Sequence, residues 1–159
     1  MVSHIFLLIG CAIPLWLSLA GVQRAGDEPW LGWDVASRDV SMISGVVCVG
    51  MGDAAASLIG RRYGRRKWPW AGGKSLEGSA AFAIAVTIGL VFGKGWLVLG
   101  WGERVEKSLT ERVVDVTIVV GKAGICAIGA SLEEAVLTGG NDNVVVPVVL
   151  WVLLKGVGL

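Results

Sequence analysis

Long apolar blocks alternate with short polar stretches along this chain of 159 residues. The blocks run over roughly 3–22, 40–60, 78–101, 113–136 and 144–158. Most approach the ~20 residues a helix needs to cross a hydrocarbon core ~30 Å thick, and the last, about 15 residues, is short for it. The pattern predicts an all-α fold, a multi-pass transmembrane helix bundle of about five spans. The first block has only Ser3 and His4 before its apolar run. Without a basic leading segment it reads as a retained span rather than a secretory signal. Nothing resembles a linker, a repeat or a second domain, so residues 1–159 read as one integral-membrane domain.

Strict alternation of five spans puts the second and fourth loops on one side. The second, about 61–77, holds Arg61, Arg62, Arg65, Arg66, Lys67 and Lys74, the densest basic cluster in the chain. The positive-inside rule therefore predicts that this side faces the cytoplasm. Composition agrees with a membrane setting: 54% of residues are hydrophobic and 17% charged, where a soluble domain carries ~25% charged. Eight tryptophans against one tyrosine suit headgroup-level anchors, and 24 glycines suit closely packed helices. A net charge of +1 leaves no bulk basic surface for nucleic acid. Cys11, Cys48 and Cys126 each lie in an apolar block and read as buried thiols rather than a disulfide framework or a metal site.

Ionisable residues inside spans are costly and point to function. Asp53 lies about two turns short of the basic loop, with Ser57 one turn further along the same face. Beside it runs a row of small residues, Gly52, Ala56, Gly60 and Gly64, where another helix can pack. The fourth span carries Asp115, Lys122, Glu133 and Glu134. Asp115, Lys122 and Glu133 fall near one face, while Glu134 points off that stripe yet lies close to the end that shares its side with the basic loop. The stretch Ala71-Gly72-Gly73-Lys74-Ser75 looks like the tail of a phosphate loop. A full G-x-x-x-x-G-K-[ST] motif needs a glycine where Trp68 stands, and no buried strand precedes it, so a soluble nucleotide fold is excluded.

The candidate site on the basic side thus combines Asp53 and Ser57, then Gly72, Gly73 and Lys74, then Glu134, Asp142 and Asn143. Lysine and glycine amides hold phosphates. Carboxylates and an Asn amide hold Mg²⁺ through a few oxygens, leaving waters and phosphate oxygens to complete its shell. These are the parts of phosphoryl transfer, in which one carboxylate can also accept a proton from an attacking hydroxyl. Plainer readings stand beside these. Ser75 can cap the third span, with Glu77 favourable in its first turn. The arginines can be topology anchors, Asn141-Asp142-Asn143 a tight turn, and Lys122 the partner of an acid elsewhere in the bundle.

Three ordered motifs carry a family resemblance over about residues 42–150. They are Gly52-Asp53-Ala54-Ala55-Ala56-Ser57-Leu58-Ile59-Gly60, then Lys67-Trp68-Pro69 with Lys74-Ser75-Leu76-Glu77-Gly78-Ser79, then Glu134-Ala135-Val136-Leu137-Thr138 with Asn141-Asp142-Asn143 and Pro147. They resemble the dolichol kinase family, a group of polyprenol kinases that includes phytol-type kinases. The resemblance implies a multi-pass enzyme of the endoplasmic reticulum membrane. It would move the γ-phosphate of CTP onto dolichol or a related polyprenol to give dolichyl phosphate, with the nucleotide loop facing the cytoplasm. It implies CTP and phosphate binding by Lys67, Gly72, Gly73, Lys74, Ser75, Glu77, Gly78 and Ser79. It implies Mg²⁺, or another divalent cation, at Asp53, Asp142 and Asn143, and catalytic roles for Asp53, Glu134 and Asp142. The chain departs from the family in having Gly73-Lys74 where two lysines are frequent, and in being shorter, as a minimal form, a fragment or a phytol-kinase-sized relative would be. Its groove beside Gly52, Ala56 and Gly60 is where the isoprenoid tail is expected. A CTP-using phospholipid cytidylyltransferase is the alternative, and a transporter or assembly subunit a third.

Overall fold

The computed structural model describes residues 2–20, 38–70, 73–101, 108–137 and 141–159. Among the described residues there are five helical segments, as the apolar blocks predict. They are α1 (Val2–Ala20), α2 (Val40–Tyr63), α3 (Leu76–Trp101), α4 (Leu109–Val136) and α5 (Asp142–Val157). By length and composition α2, α3 and α4 can each cross a membrane. The apolar part of α1 is shorter, and α5, at 16 residues, rises only ~24 Å. It packs between α1 and α4, inside the bundle.

Capping explains where the segments start. Ser108 accepts from the Glu111 N–H, and the Glu111 carboxylate accepts from the Ser108 N–H at 2.8 Å. This reciprocal box begins α4 four residues before the expected start at 113. Ser75 likewise accepts from the Gly78 N–H at 3.1 Å and starts α3 at Leu76. At the other end of the chain, Gly158 closes α5 in the left-handed conformation (φ 62°) that glycine adopts freely.

The core lies between α2, α3, α4 and α5 and holds Val47, Cys48, Phe82, Val86, Leu90, Ala127, Ala130, Val146 and Leu150. Small residues set the spacing. A Cβ on Gly45 would meet the Gly10 carbonyl oxygen at 2.5 Å, so α1 and α2 touch along their backbones there. Pro147 has no N–H to bond the Asn143 carbonyl one turn back. That carbonyl faces Gly10 of α1, where any side chain would strike it. The row Gly52, Ala56 and Gly60 is packing surface for α3. A Cβ on Gly52 would meet the Phe82 ring at 2.7 Å, and one on Gly60 would lie 3.6 Å from the Gly78 Cα. Nearer the basic loop, Ala56, Gly60 and Gly64 of this row also line a cavity.

The middle of α2, Val47–Asp53, is a π-helix ending at the intramembrane aspartate. Its i→i+5 bonding is rare and tends to occur at functional sites. Three lysines among the described residues, Lys94, Lys122 and Lys155, lie within helical segments away from the basic loop. Lys94 donates to the Leu159 carbonyl at 2.5 Å and Lys122 to the Gly158 carbonyl at 3.1 Å. Lys122 is thus paired with a carbonyl at the end of α5 instead of the acid expected for it, because a helix C-terminus presents unbonded oxygens.

At that same end Asp39 stands just before α2. Lys155 donates to its carboxylate at 2.7 Å and the Ser41 hydroxyl at 3.0 Å. Burial pushes the Asp39 carboxyl up, but Lys155 and Ser41 outweigh it and hold the group below the ordinary aspartate range.

Candidate functional site

The site forms at the opposite end, where the α2–α3 connection meets the α4–α5 connection. Gly64 ends α2 in an extended conformation. A Cβ there would collide with the Gly60 carbonyl and come within 2.6 Å of the Ser75 hydroxyl, so glycine is required by close approach. The chain then doubles back. Lys67 and Ser75 form an antiparallel bridge, Trp68 N–H donates to the Lys74 carbonyl at 3.1 Å, and Leu76 N–H to the Arg66 carbonyl at 2.8 Å. Glu77 accepts the Arg66 N–H at 3.2 Å through either carboxylate oxygen. The Trp68 indole donates to the Ser79 hydroxyl at 3.0 Å, and the Ser131 hydroxyl donates to the Ser79 carbonyl at 2.8 Å. The loop is therefore braced to two helices. Gly73 near its tip has φ +125°, a conformation that side chains rarely adopt.

From this braced loop Lys74 reaches across the bundle. Its ammonium donates to the Glu134 carbonyl at 2.5 Å and lies 3.5 Å from the Glu134 carboxylate and 3.4 Å from that of Asp142. One side chain thus joins the α2–α3 loop to the C-terminal turn of α4 and the first residue of α5. A cation at a helix C-terminus and an acid at a helix N-terminus are both favourable to the helix dipoles.

Beneath Lys74 is a cavity of about 450 Å³. Asp53, Lys67, Gly73, Lys74, Ser75, Gly78, Ser79 and Glu134, all expected site residues, line it. Asp142 and Asn143 adjoin through a narrow cleft that also touches Asp53 and Glu134. Within the cleft the Asp142 carboxylate accepts the Asn143 N–H at 3.0 Å. Glu77 does not line the cavity and instead holds the loop. Gly72 lies outside the described residues. Glu133 is on the neighbouring face of α4, and Glu134 alone of that pair enters the site.

Arg61, read from the sequence as part of the basic loop and equally as a topology anchor, lines the cavity in register with Asp53 and Ser57 (i, i+4, i+8). The bracing by Trp68 depends on a non-local fold-back that spacing does not show.

Chemically, the cavity sets basic side chains (Lys67, Lys74, Arg61) and the Gly73 backbone against the acids Asp53 and Glu134, with Asp142 in the adjoining cleft. Glu134 Oε2 is buried without a hydrogen-bond partner among the described residues. Such an orphaned acceptor is costly and calls for a cation or donor. Among the described residues no three acidic, His or Cys side chains stand close enough to form a metal cage.

The chain is similar to known proteins over most of its length. Dolichol kinase sec59 of Schizosaccharomyces pombe is 37% identical over 155 residues, covering 97% of this chain and 25% of that protein. Dolichol kinase EVAN of Arabidopsis thaliana is 32% identical over 107 residues, 60% of this chain and 16% of that protein. The Homo sapiens dolichol kinase is 29% identical over 154 residues, 96% and 24% respectively. The chain spans about a quarter of the length of the first of these relatives. No family model and no solved structure matches it.

Proposed function

We propose that this chain, which belongs to the dolichol kinase family through one segment of those proteins, is a CTP-dependent lipid-alcohol kinase. It moves the γ-phosphate of CTP onto dolichol or a related polyprenol. The observation that carries this reading is the Lys74 bridge, which brings a phosphate-type loop, Glu134 and Asp142 around one cavity within reach of Asp53. Lys74 and the Gly73 backbone hold phosphate oxygens, as basic groups and exposed amides do. Ser75 and Gly78 support that loop through the helix cap. Asp53, Asp142 and Asn143 hold Mg²⁺ or orient the hydroxyl, with Glu134 beside them as a base or supporting group. The metal, when bound, supplies charge neutralisation at the phosphates.

A low-dielectric rim makes the arrangement effective, because charges at the edge of a bilayer interact more strongly than in water. The reading includes a membrane of the endoplasmic reticulum with the nucleotide loop facing the cytoplasm, supported by the basic residues crowded on that loop. The test is substitution in the intact chain. Lys74→Ala and Asp142→Ala should each abolish transfer to a polyprenol while membrane insertion is unchanged. Activity within a few fold of wild type in both would remove the two residues from the site.

A further inference from the structure

The cavity under Lys74 has a neighbour. On the outer side of α2 lies a second, laterally open depression of about 560 Å³, lined by Asp53, Ala54, Ser57, Leu58, Arg61 and Arg62. Asp53, Ser57 and Arg61 line both spaces. Helical geometry explains the sharing. At ~100° per residue, Ala56, Gly60 and Gly64 form one stripe, facing α3 and the inner cavity. Asp53, Ser57 and Arg61 form the next, and Ala54, Leu58 and Arg62 the one beyond. The middle stripe is a wall one side chain thick.

We infer that the outer depression is the acceptor subsite, where a lipid with one terminal hydroxyl and a long apolar tail meets Asp53 from the bilayer side while the nucleotide phosphates occupy the inner cavity. This rests on the phosphotransfer reading above and adds the acceptor's route to it. Three observations favour such an occupant. Leu58 is 67% exposed within an apolar span, so the tail need not leave the hydrocarbon. The Asp53 carboxylate makes no hydrogen bond among the described residues and faces both spaces, as a group that must touch acceptor and donor should. Arg61 and Arg62, one to two turns nearer the end of α2, put positive charge where the phosphorylated lipid would form. The Arg62 guanidinium lies 5.6 Å from the Tyr63 ring, which steadies it.

In the step itself, the lipid hydroxyl oxygen forms a bond to the terminal phosphorus. The bond from that phosphorus to the bridging oxygen breaks, releasing a nucleoside diphosphate, and the hydroxyl proton passes to a carboxylate of the inner cavity. Ala54 and Leu58 touch only the acceptor and determine which alcohol fits.

The test uses the full chain in lipid nanodiscs. Leu58→Trp should raise KM for a long-chain polyprenol about tenfold while KM for CTP and turnover of a one- or two-isoprene alcohol stay within about twofold. Arg62→Gln should weaken inhibition by the lipid monophosphate with no change in KM for CTP. A photoactivatable polyprenol, whose capture needs no turnover, should label the Ala54–Leu58 stretch. Labelling confined to another helix, or an unchanged polyprenol KM in Leu58→Trp, overturns the subsite while leaving the kinase reading intact. Labelling here in a protein that transfers no phosphate would retain the lipid route and overturn the kinase reading instead.

Discussion

Each end of the bundle sets a lysine against an aspartate, and the two pairs differ in what surrounds them. At the far end Lys155 meets Asp39 at 2.7 Å, with Ser41 completing the carboxylate. The Trp151 indole bonds Ser18 at 2.7 Å, and Ser18 in turn lies 3.3 Å from Ser41. The Asp39 carboxylate there has an ammonium and a hydroxyl of its own. At the near end Lys74 stands 3.4 and 3.5 Å from two acids, a third lines the same cavity, and one Glu134 oxygen is buried without a partner. A short pair beside packed helices is structural. An acid surplus with longer contacts and open space is what the proposed binding of a cation and an anion would offset, since unpaired charge at membrane depth is costly.

Breaking the two pairs should therefore have opposite signatures. Lys74→Ala should lower kcat/KM for phosphate transfer by about 10²–10³-fold, as losing one preorganised charge contact does. Lys155→Ala should leave transfer within about threefold and, because both partners are partly exposed, cost under about 1 kcal/mol in thermal unfolding. Next comes Gly64→Ala, which pushes against the Gly60 carbonyl and Ser75. It should cost about 1–3 kcal/mol and, by displacing the Lys74 loop, about tenfold in transfer. Ser75→Ala should remove the α3 cap for about 1 kcal/mol.

The smallest effect separates the ends by pH. The Asp39 carboxyl is held low in the folded protein, so its contribution is complete above the unfolded value of about 3.9 and disappears as pH falls through the lower folded value. Wild-type stability should fall with acid below about pH 4 more steeply than that of Asp39→Asn. Parallel acid profiles for the two proteins would show that the Lys155 contact is idle.

The two ends were not equally legible in the sequence. The near end was largely readable because loop parity alone puts the basic loop and Asp142 on one side, and charges in apolar blocks identify themselves. Asp53, Lys74, Glu134 and Asp142 were read as neighbours that way, and they do lie together; Ser75 was rightly given a capping role. What stayed hidden depended on tertiary fold-back or helix type. The Glu77 bond to Arg66 needs the chain to reverse, the π-helix before Asp53 has no local signature, and Lys122 found a helix-terminal carbonyl where an acid was expected. The far-end Asp39–Lys155 pair joins residues 116 apart in sequence, and nothing short-range announces it.

The most direct measurement follows label from CTP into lipid. Purified chain in nanodiscs with a polyprenol and Mg²⁺ should transfer label from the γ position of CTP to the lipid, and Lys74→Ala should not. Label entering from the α position, as in cytidylyl transfer, or equal transfer by Lys74→Ala, would contradict the account.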